Sequence, residues 1–359
     1  MLRRTVDCAL RLRAAETTAI RLRTQMPRTL RTSAQHGLPR ISMHEYQQLR
    51  RKQQEFEAGA HGRFGTYQRI VPSTLVKRKA EAREPSLELV PSGIERPAYA
   101  STGTAEPVQS HLQIPVLAGE EIERMRVACV IARDALALGG SMVRPGVTTA
   151  AIDREVHGFI VSRGAYPSCL NYLGFPRSIC TSVNNIIAHG IPDDACVLAD
   201  GDCINIDVTV YKHGFHGDTS AMFVAGSIDA PGRQLLDTTQ EALELAIQAC
   251  GPQVPFSTIG TTIESLVAPL GFSVSQELTG HGVGRDFHQR PLIYHHANDL
   301  PGVMEPGMAF TIEPIVSQGV AAGVLWPDGW TVATADGARS AQYEHTVVVT
   351  ADGIDVLTA

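Results

Sequence analysis

The stretch "GDCINIDVTVYKHGFHGDTSAMFVAG", residues 201–226, decides the fold. Its two halves alternate apolar and polar residues and are rich in β-branched side chains, and "KHG" separates them, so the pattern is that of a β-hairpin. With the turn centred on Lys212 and His213, Asp207 is expected directly opposite Asp218. Cross-strand neighbours of that kind have Cβ atoms only about 4.5–5.5 Å apart. Two carboxylates so close repel each other unless one is protonated or a cation lies between them, and a divalent metal resolves the conflict most simply. His213 falls in the turn, where a solvated loop role is expected. His216 shares the parity of Asp218, so spacing leaves it open as a further ligand.

Three more residues of the same chemistry occur downstream: His281 in "TGHGVG", Glu313 in "AFTIEPIV" and Glu344 in "SAQYEHTVVVT". Both glutamates sit inside hydrophobic strand patterns, where an acid is either on a solvent-facing edge or buried with a partner. Taken with the paired aspartates they make four carboxylates and one imidazole. That set is too oxygen-rich for structural zinc and suits a pair of Mn, Fe, Co or similar divalent ions.

Around the hairpin the chain repeats itself. "RPGVTTAAIDREVHGFIVSRGA" (144–165) and "GPQVPFSTIGTTIESLVAPLGF" (251–272) match at constant offset, Pro145 with Pro252, Ile152 with Ile259, Val156 with Ile263 and Gly164 with Gly271. Each reads as a capped amphipathic helix. In the same order, "AHGIPD" (188–193) is echoed by "GHGVGRD" (280–286), and "INIDVTV" (204–210) by "FTIEPIV" (310–316). "AGEEIERMRVACVIARDALALGG" (118–140) reads as a further helix, with acids at its start and glycines at its end. The expectation is one α/β (α+β) domain over residues 119–359, with a pseudo-twofold internal repeat whose helices cover a central antiparallel sheet.

The bulk numbers fit this reading. A chain of 359 residues with net charge -6 can bury a large core, and its weakly acidic balance offers no general grip on nucleic acid. The seven cysteines are an odd number without a C-x-x-C pair, which argues against a disulfide framework and against a structural zinc cluster. No apolar run reaches the roughly 18 residues of a membrane-spanning helix. Residues 1–40 carry nine arginines against Asp7 and Glu16. Such arginine-rich, acid-poor N-termini are organelle transit peptides, so mitochondrial import is expected, with a plastid or cytoplasmic location, or a disordered basic arm binding RNA or an anionic surface, as alternatives. In the intervening extension, 41–118, "HEYQQLRRKQQEFEAGAH" reads as a charged helix, and "VPSGIERPAYASTGTAEPVQ" as a surface-running extended segment without chemistry.

"YPSCLNYLGFPRSICTSVNNIIAHGIPD", "DGDCINIDVTVY", "GFHGDTSAMF", "GHGVGRDFH", "HHAND", "GMAFTIEP" and "DGWTV…SAQYEHTVVVT" together resemble, in order and spacing, the type I methionine aminopeptidases, over about residues 119–359. "IERPAYASTGTAEP" (94–107) is similar to the stretch that precedes the catalytic domain in mitochondrial members. The resemblance implies the pita-bread fold and removal of initiator methionine from nascent proteins, by attack of a water activated between two metals. It implies two divalent ions (Co, Mn, Fe or Zn), one chelated by Asp207, the other by His281 and Glu313, with Asp218 and Glu344 bridging and His216 outside the ligand set. Glu313 would move protons. His189 and His288 would contact the peptide, and Cys169, Tyr172, Phe175, Cys180, Phe287 and Trp330 would line the methionine pocket, whose depth favours a small second residue. Phe175 stands where bacterial members often have Tyr. A monomer acting near the organellar ribosome is the expected setting. Two other classes are a non-catalytic pita-bread binding protein and an Xaa-Pro-type peptidase. The five filled ligand positions disfavour the first, and the spacing around "HGIPD" disfavours the second.

Overall fold

In the computed structural model, residues 64–71, 90–105, 108 and 113–359 are described, together with the backbone of 31–32 and 39–40. Most of the arginine-rich arm and the charged helix expected within 44–61 lie outside the described residues. No helix among the described residues is long and apolar enough to cross a membrane.

Four long helices form where the periodicity places them: α1 Gly119–Ser141, α2 Thr149–Ser162, α3 Ala230–Gln248 and α4 Ser257–Val267. Three of their starts are built by side chains that satisfy backbone N–H groups, whereas α4 begins at Phe256 without the side-chain cap expected from the sequence. Ala118 N–H donates to Glu121 at α1, Ala151 N–H to the Thr148 hydroxyl at α2, and Gly232 N–H to Asp229 at α3. Just beyond α2 and α4 the chain reverses through Gly164 (φ 61°) and Gly271 (φ 81°), left-handed conformations that a glycine adopts without a Cβ clash. Both glycines belong to the repeat. So do two isolated bridges at equivalent places, Thr148 with Val197 and Pro255 with Val303.

The strands that matter are β1 Cys180–Val183, β2 Cys203–Lys212, β3 Phe215–Val224, β4 Gly280–Gly282, β5 Gln289–Ile293, β6 Ala309–Ile312, β7 Ile315–Ser317, β8 Ser340–Gln342 and β9 Glu344–Val349. A nine-stranded antiparallel sheet runs β5-β4-β6-β9-β3-β2 and on to Tyr166–Pro167, with β1 also paired to β2 and Ile354–Val356 to β9. β8 and β7 join Ser273–Val274 in a separate three-stranded sheet. Each half of the repeat has its own core. Ile131, Ala135, Ile152, Val156 and Ile160 of α1 and α2 pack on Ile204, Ile206, Val208 and Val210 of β2. Leu235, Leu243, Ile259 and Ile263 of α3 and α4 pack on Phe310, Ile312, Val316 and Val347. The fold class is the one expected from the sequence.

The hairpin register differs from the expected one. β2 and β3 pair Lys212 with Phe215, Thr209 with Asp218, and Asp207 with Ser220, so the turn is His213–Gly214 rather than Lys212–His213. Both turn residues have positive φ, 53° and 81°, the requirement of the two-residue turn whose twist matches that of the strands. Asp207 and Asp218 are therefore diagonal neighbours instead of direct ones. Because this displacement is an even number of residues, both still point to the same face.

The extension also departs from expectation. Residues 90–105 do not merely run over the surface: Val90, Tyr99 and Ala100 are buried in the same apolar cluster as Tyr166, Cys169, Phe175 and Phe287. Residues 64–71 strap the other side, where Asn184 donates to the Gln68 carbonyl and buried Arg339 to the Phe64 carbonyl.

Candidate metal centre

β2 has two chemical faces. Its even-numbered residues form the helix-covered core, and the odd ones, Asn205, Asp207 and Thr209, face the opposite side. The companion acids come from strand ends. Glu313 sits between β6 and β7, and Glu344 opens β9 just after β8, where the chain passes between the nine-stranded and three-stranded sheets. Ile312 pairs with His345 on one side of this break and Ile315 with Gln342 on the other, so a continuous register sets Glu313 against Glu344. Neither glutamate is buried in mid-strand as the pattern suggested. A sheet-to-sheet junction frees Glu313 N–H from the ladder, and it donates instead to His295 Nε2 at 3.0 Å.

Asp218, His281 and Glu344 form the tight part of the site, with one ligand atom of each within 4.8 Å of the others. His281 Nε2 lies 3.7 Å from Asp218 Oδ2 and 3.6 Å from Glu313 Oε1. The other ring nitrogen, Nδ1, is 3.2 Å from the Gly282 carbonyl, which can only accept. Nδ1 therefore carries the proton, and the Nε2 lone pair points into the carboxylates, the tautomer a metal ligand needs. Asp207 is close enough for its charge to push up the pKa values of Asp218, Glu313 and Glu344.

The electrostatics ask for a cation. Burial, the largest cause, raises Asp207 to about 7 and Glu313 to about 8, and burial with mutual repulsion holds Asp218 and Glu344 well above the usual carboxylate range. Burial likewise lowers His281 to about 4, keeping the ring neutral. Among the described residues Asp218 and Glu313 approach the neutral His281 ring, and no lysine or arginine forms an ion pair with either. Four acids without a lysine or arginine partner among the described residues, two of them (Asp218 and Glu313) oriented by hydrogen bonds, and joined by a neutral imidazole, fit divalent metal ions.

The predicted peptide-side residues adjoin this cluster. The His288 ring is 4.0 Å from that of His281 and 5.0 Å from that of Tyr172. His189 is held at φ 55°, with its ring 6.0 Å from Trp330. Cys169, Tyr172, Phe175, Cys180, Phe287 and Trp330 all belong to one apolar cluster, with Phe175 edge-on to Trp330 at 5.1 Å. The two histidines of the hairpin part company. His213 is an exposed turn residue, whereas His216 is buried, its Nδ1 2.8 Å from Ser168 Oγ and its ring stacked on Phe287. The six cysteines among the described residues are all free.

Sequence reasoning missed the residues that aim the acids. Thr209 donates to Asp218 Oδ1 (2.6 Å), Thr311 to Glu313 Oε1 (2.7 Å) and Gln342 to Glu313 Oε2 (3.1 Å). Each stands two residues from a proposed ligand on the same strand run, so the period of two was a usable signal. His295 and Tyr99 carried no such mark.

Residues 123–351 match the family described as metallopeptidase family M24. A chloroplastic methionine aminopeptidase 1B of Arabidopsis thaliana is 48% identical over 270 residues, 75% of this chain and 72% of that one. The mitochondrial methionine aminopeptidase 1D of Homo sapiens is 46% identical over 269 residues, 75% and 79% of the two chains. The crystal structure of methionine aminopeptidase from Rickettsia prowazekii superposes with a TM-score of 0.67 at 39% identity, covering 69% of this chain and all of that one (100%). The chain therefore belongs to metallopeptidase family M24, and within that divalent-metal-binding family to the type I methionine aminopeptidases that resemble the organellar form.

Proposed function

We propose that the chain removes the N-terminal methionine of nascent proteins and peptides, with preference for a small second residue. The observation that carries this is the adjacency of a buried ligand group, Asp218, His281 and Glu344, with Glu313 and Asp207 beside it, to a soft, aromatic cluster suited to a thioether. Asp207 would help to hold one divalent ion, His281 and Glu313 a second, and Asp218 and Glu344 would contribute to holding both. Bound there, the ions would supply Lewis acidity for the scissile carbonyl and lower the pKa of a water molecule toward about 7.

The protein's own groups do the rest. Glu313, its two oxygens fixed by Thr311 and Gln342, accepts the proton of the attacking water and passes it to the departing amine. His189 and His288 hydrogen-bond the peptide at the scissile bond and stabilise the charge that develops on its oxygen. Cys169, Tyr172, Phe175, Cys180, Phe287 and Trp330 exclude water from the methionine side chain.

The full chain incubated with Mn(II) is expected to release methionine from Met-Ala-Ser and to leave Ala-Pro-Ser intact. Cleavage of the second peptide alone, or of neither across Mn, Fe, Co and Zn, would overturn this reading. The arginine-rich N-terminus, with chloroplastic and mitochondrial relatives, supports an organellar site of action, mitochondrial in our reading. Residues 1–60 fused to a fluorescent protein test it, and a diffuse cytosolic signal would refute it.

A further inference from the structure

The extension that precedes the catalytic fold reaches the pocket, and its contacts are specific. Residues Ala98–Ala100 form one tight 3-10 turn that buries Tyr99. The Tyr99 hydroxyl donates to the Ser168 carbonyl at 2.5 Å, and the Ala100 carbonyl accepts from Asn171 Nδ2 at 2.9 Å. Two consecutive residues thus clamp both ends of the segment 168–171, which carries Cys169 and leads into Tyr172. Ser168 is tied onward to His216 through its side chain.

The clamped loop needs holding. Asn171 and Leu173 both have left-handed backbone, φ 61° and 50°, and a leucine adopts that conformation only where its surroundings impose it. Between them, Tyr172 is fixed from two sides. The Tyr99 ring meets it edge-on at 4.9 Å with an 83° interplanar angle, while Phe287 lies at 4.8 Å and His288 at 5.0 Å. Tyr99 also lies nearly parallel to His216, 6.1 Å away. Tyr99 is therefore the outer member of an aromatic stack whose inner members are the pocket wall and the peptide-side histidine.

We propose that Tyr99, presented by the extension, is a positioning residue that sets the shape of the methionine pocket by fixing Tyr172 and the loop 168–175. The extension is then a working part of the site, and the region that matches the family, which begins at residue 123, is incomplete without it. The proposal rests on the methionine reading of the pocket above. It assigns no contact between Tyr99 and the reacting atoms, so substrate selection should change while metal binding does not.

The test uses the full chain loaded with Mn(II), comparing wild type, Tyr99→Phe and Tyr99→Ala on Met-Ala-Ser and Leu-Ala-Ser. Tyr99→Ala is expected to raise KM for Met-Ala-Ser about tenfold or more and to shrink the preference for methionine over leucine by a similar factor. Calorimetric Mn(II) affinity should stay within about twofold of wild type, since no ligand is touched. Tyr99→Phe, which keeps the ring and loses only the hydroxyl, should restore most of the preference, with KM about threefold raised. A Tyr99→Ala protein with wild-type KM and preference overturns the proposal. So does one in which Mn(II) affinity, kcat and thermal midpoint fall together, the mark of general unfolding. If Tyr99→Ala does not fold, Tyr99→Phe decides, and an unchanged KM overturns the proposal. A wild-type chain that releases no methionine refutes the methionine reading itself, a result distinct from any difference among the variants.

Discussion

Replacing Asp218 by Asn tests the metal centre with two effects of opposite sign. The side chains are nearly isosteric, and the Asn oxygen can still accept from Thr209, as Asp218 Oδ1 does at 2.6 Å. Its new amide would face the His281 Nε2 lone pair, now 3.7 Å from Asp218 Oδ2, and can donate to it. The variant should therefore fold. Asp218 and Glu344 have ligand atoms within 4.8 Å of each other, and two unit charges at that separation interact by about 3.5 kcal/mol at an effective dielectric of about 20. Without metal the wild type bears part of that repulsion, so the metal-free variant should be more stable at pH 8, by about 1–3 kcal/mol. With metal the same missing charge weakens binding by about 4 kcal/mol or more, on the order of a thousandfold in Kd. Urea unfolding in a chelator measures the first effect, calorimetric titration with Mn(II) the second, and release of methionine from Met-Ala-Ser should be nearly abolished. Unchanged Mn(II) affinity, or a variant less stable than wild type in the chelator, would refute the reasoning.

The same electrostatics give a pH dependence. Asp207 and Glu313 are raised from 3.8 and 4.5 to about 7 and about 8, so the stabilisation from their protonated forms is complete below the lower values and is lost as pH rises through the higher ones. His216, His281 and His295 are lowered to about 3–4, which acts in the opposite sense but only below about 6.5, where the unfolded histidines protonate. Chelated protein should therefore lose stability between pH 6.5 and about 8.5, and added Mn(II) should abolish the loss; a flat chelated profile by urea unfolding would contradict this. Thr311→Val removes the donor to Glu313 Oε1, a bond to a charged group worth about 1.5–3 kcal/mol, and should lower kcat about tenfold or more with KM little changed. Wild-type kcat would show that Thr311 does not aim Glu313. Gly217→Ala would place a Cβ 2.4 Å from Cys129 N in α1 and should destabilise the fold by about 1–3 kcal/mol, read as a lower thermal midpoint. An unchanged midpoint would mean that α1 does not rest against β3 as described.

Much of this protein is legible locally. The hairpin is marked by alternation and by "KHG", the helices by period and caps, and the twofold plan by residues matched at constant offset, down to Gly164 and Gly271 with their shared left-handed turns. These features depend on neighbours a few residues away, so a sequence carries them openly. The five ligand candidates could be found the same way, as acids and a histidine standing where an apolar strand does not tolerate them.

What the tertiary structure decided was neighbourhood. The pairing of Asp207 with Ser220 rather than Asp218 depends on His213 and Gly214 both taking positive φ, and moving the turn by one residue changes every partner while leaving every face unchanged. Parity is local and survived; register is set by turn geometry and did not. Glu313 and Glu344 meet because the β6–β9 and β7–β8 pairings keep one register across the break between the two sheets. Tyr99 reaches Ser168 across 69 residues, and Arg339 reaches Phe64 across 275. No periodicity encodes contacts at such separations, because they arise from closing the chain on itself. By itself, then, the sequence determined the elements, the repeat and the residue types of the candidate site, and the closed chain decided which residues hydrogen-bond the acids and that Tyr99 joins the aromatic cluster beside them.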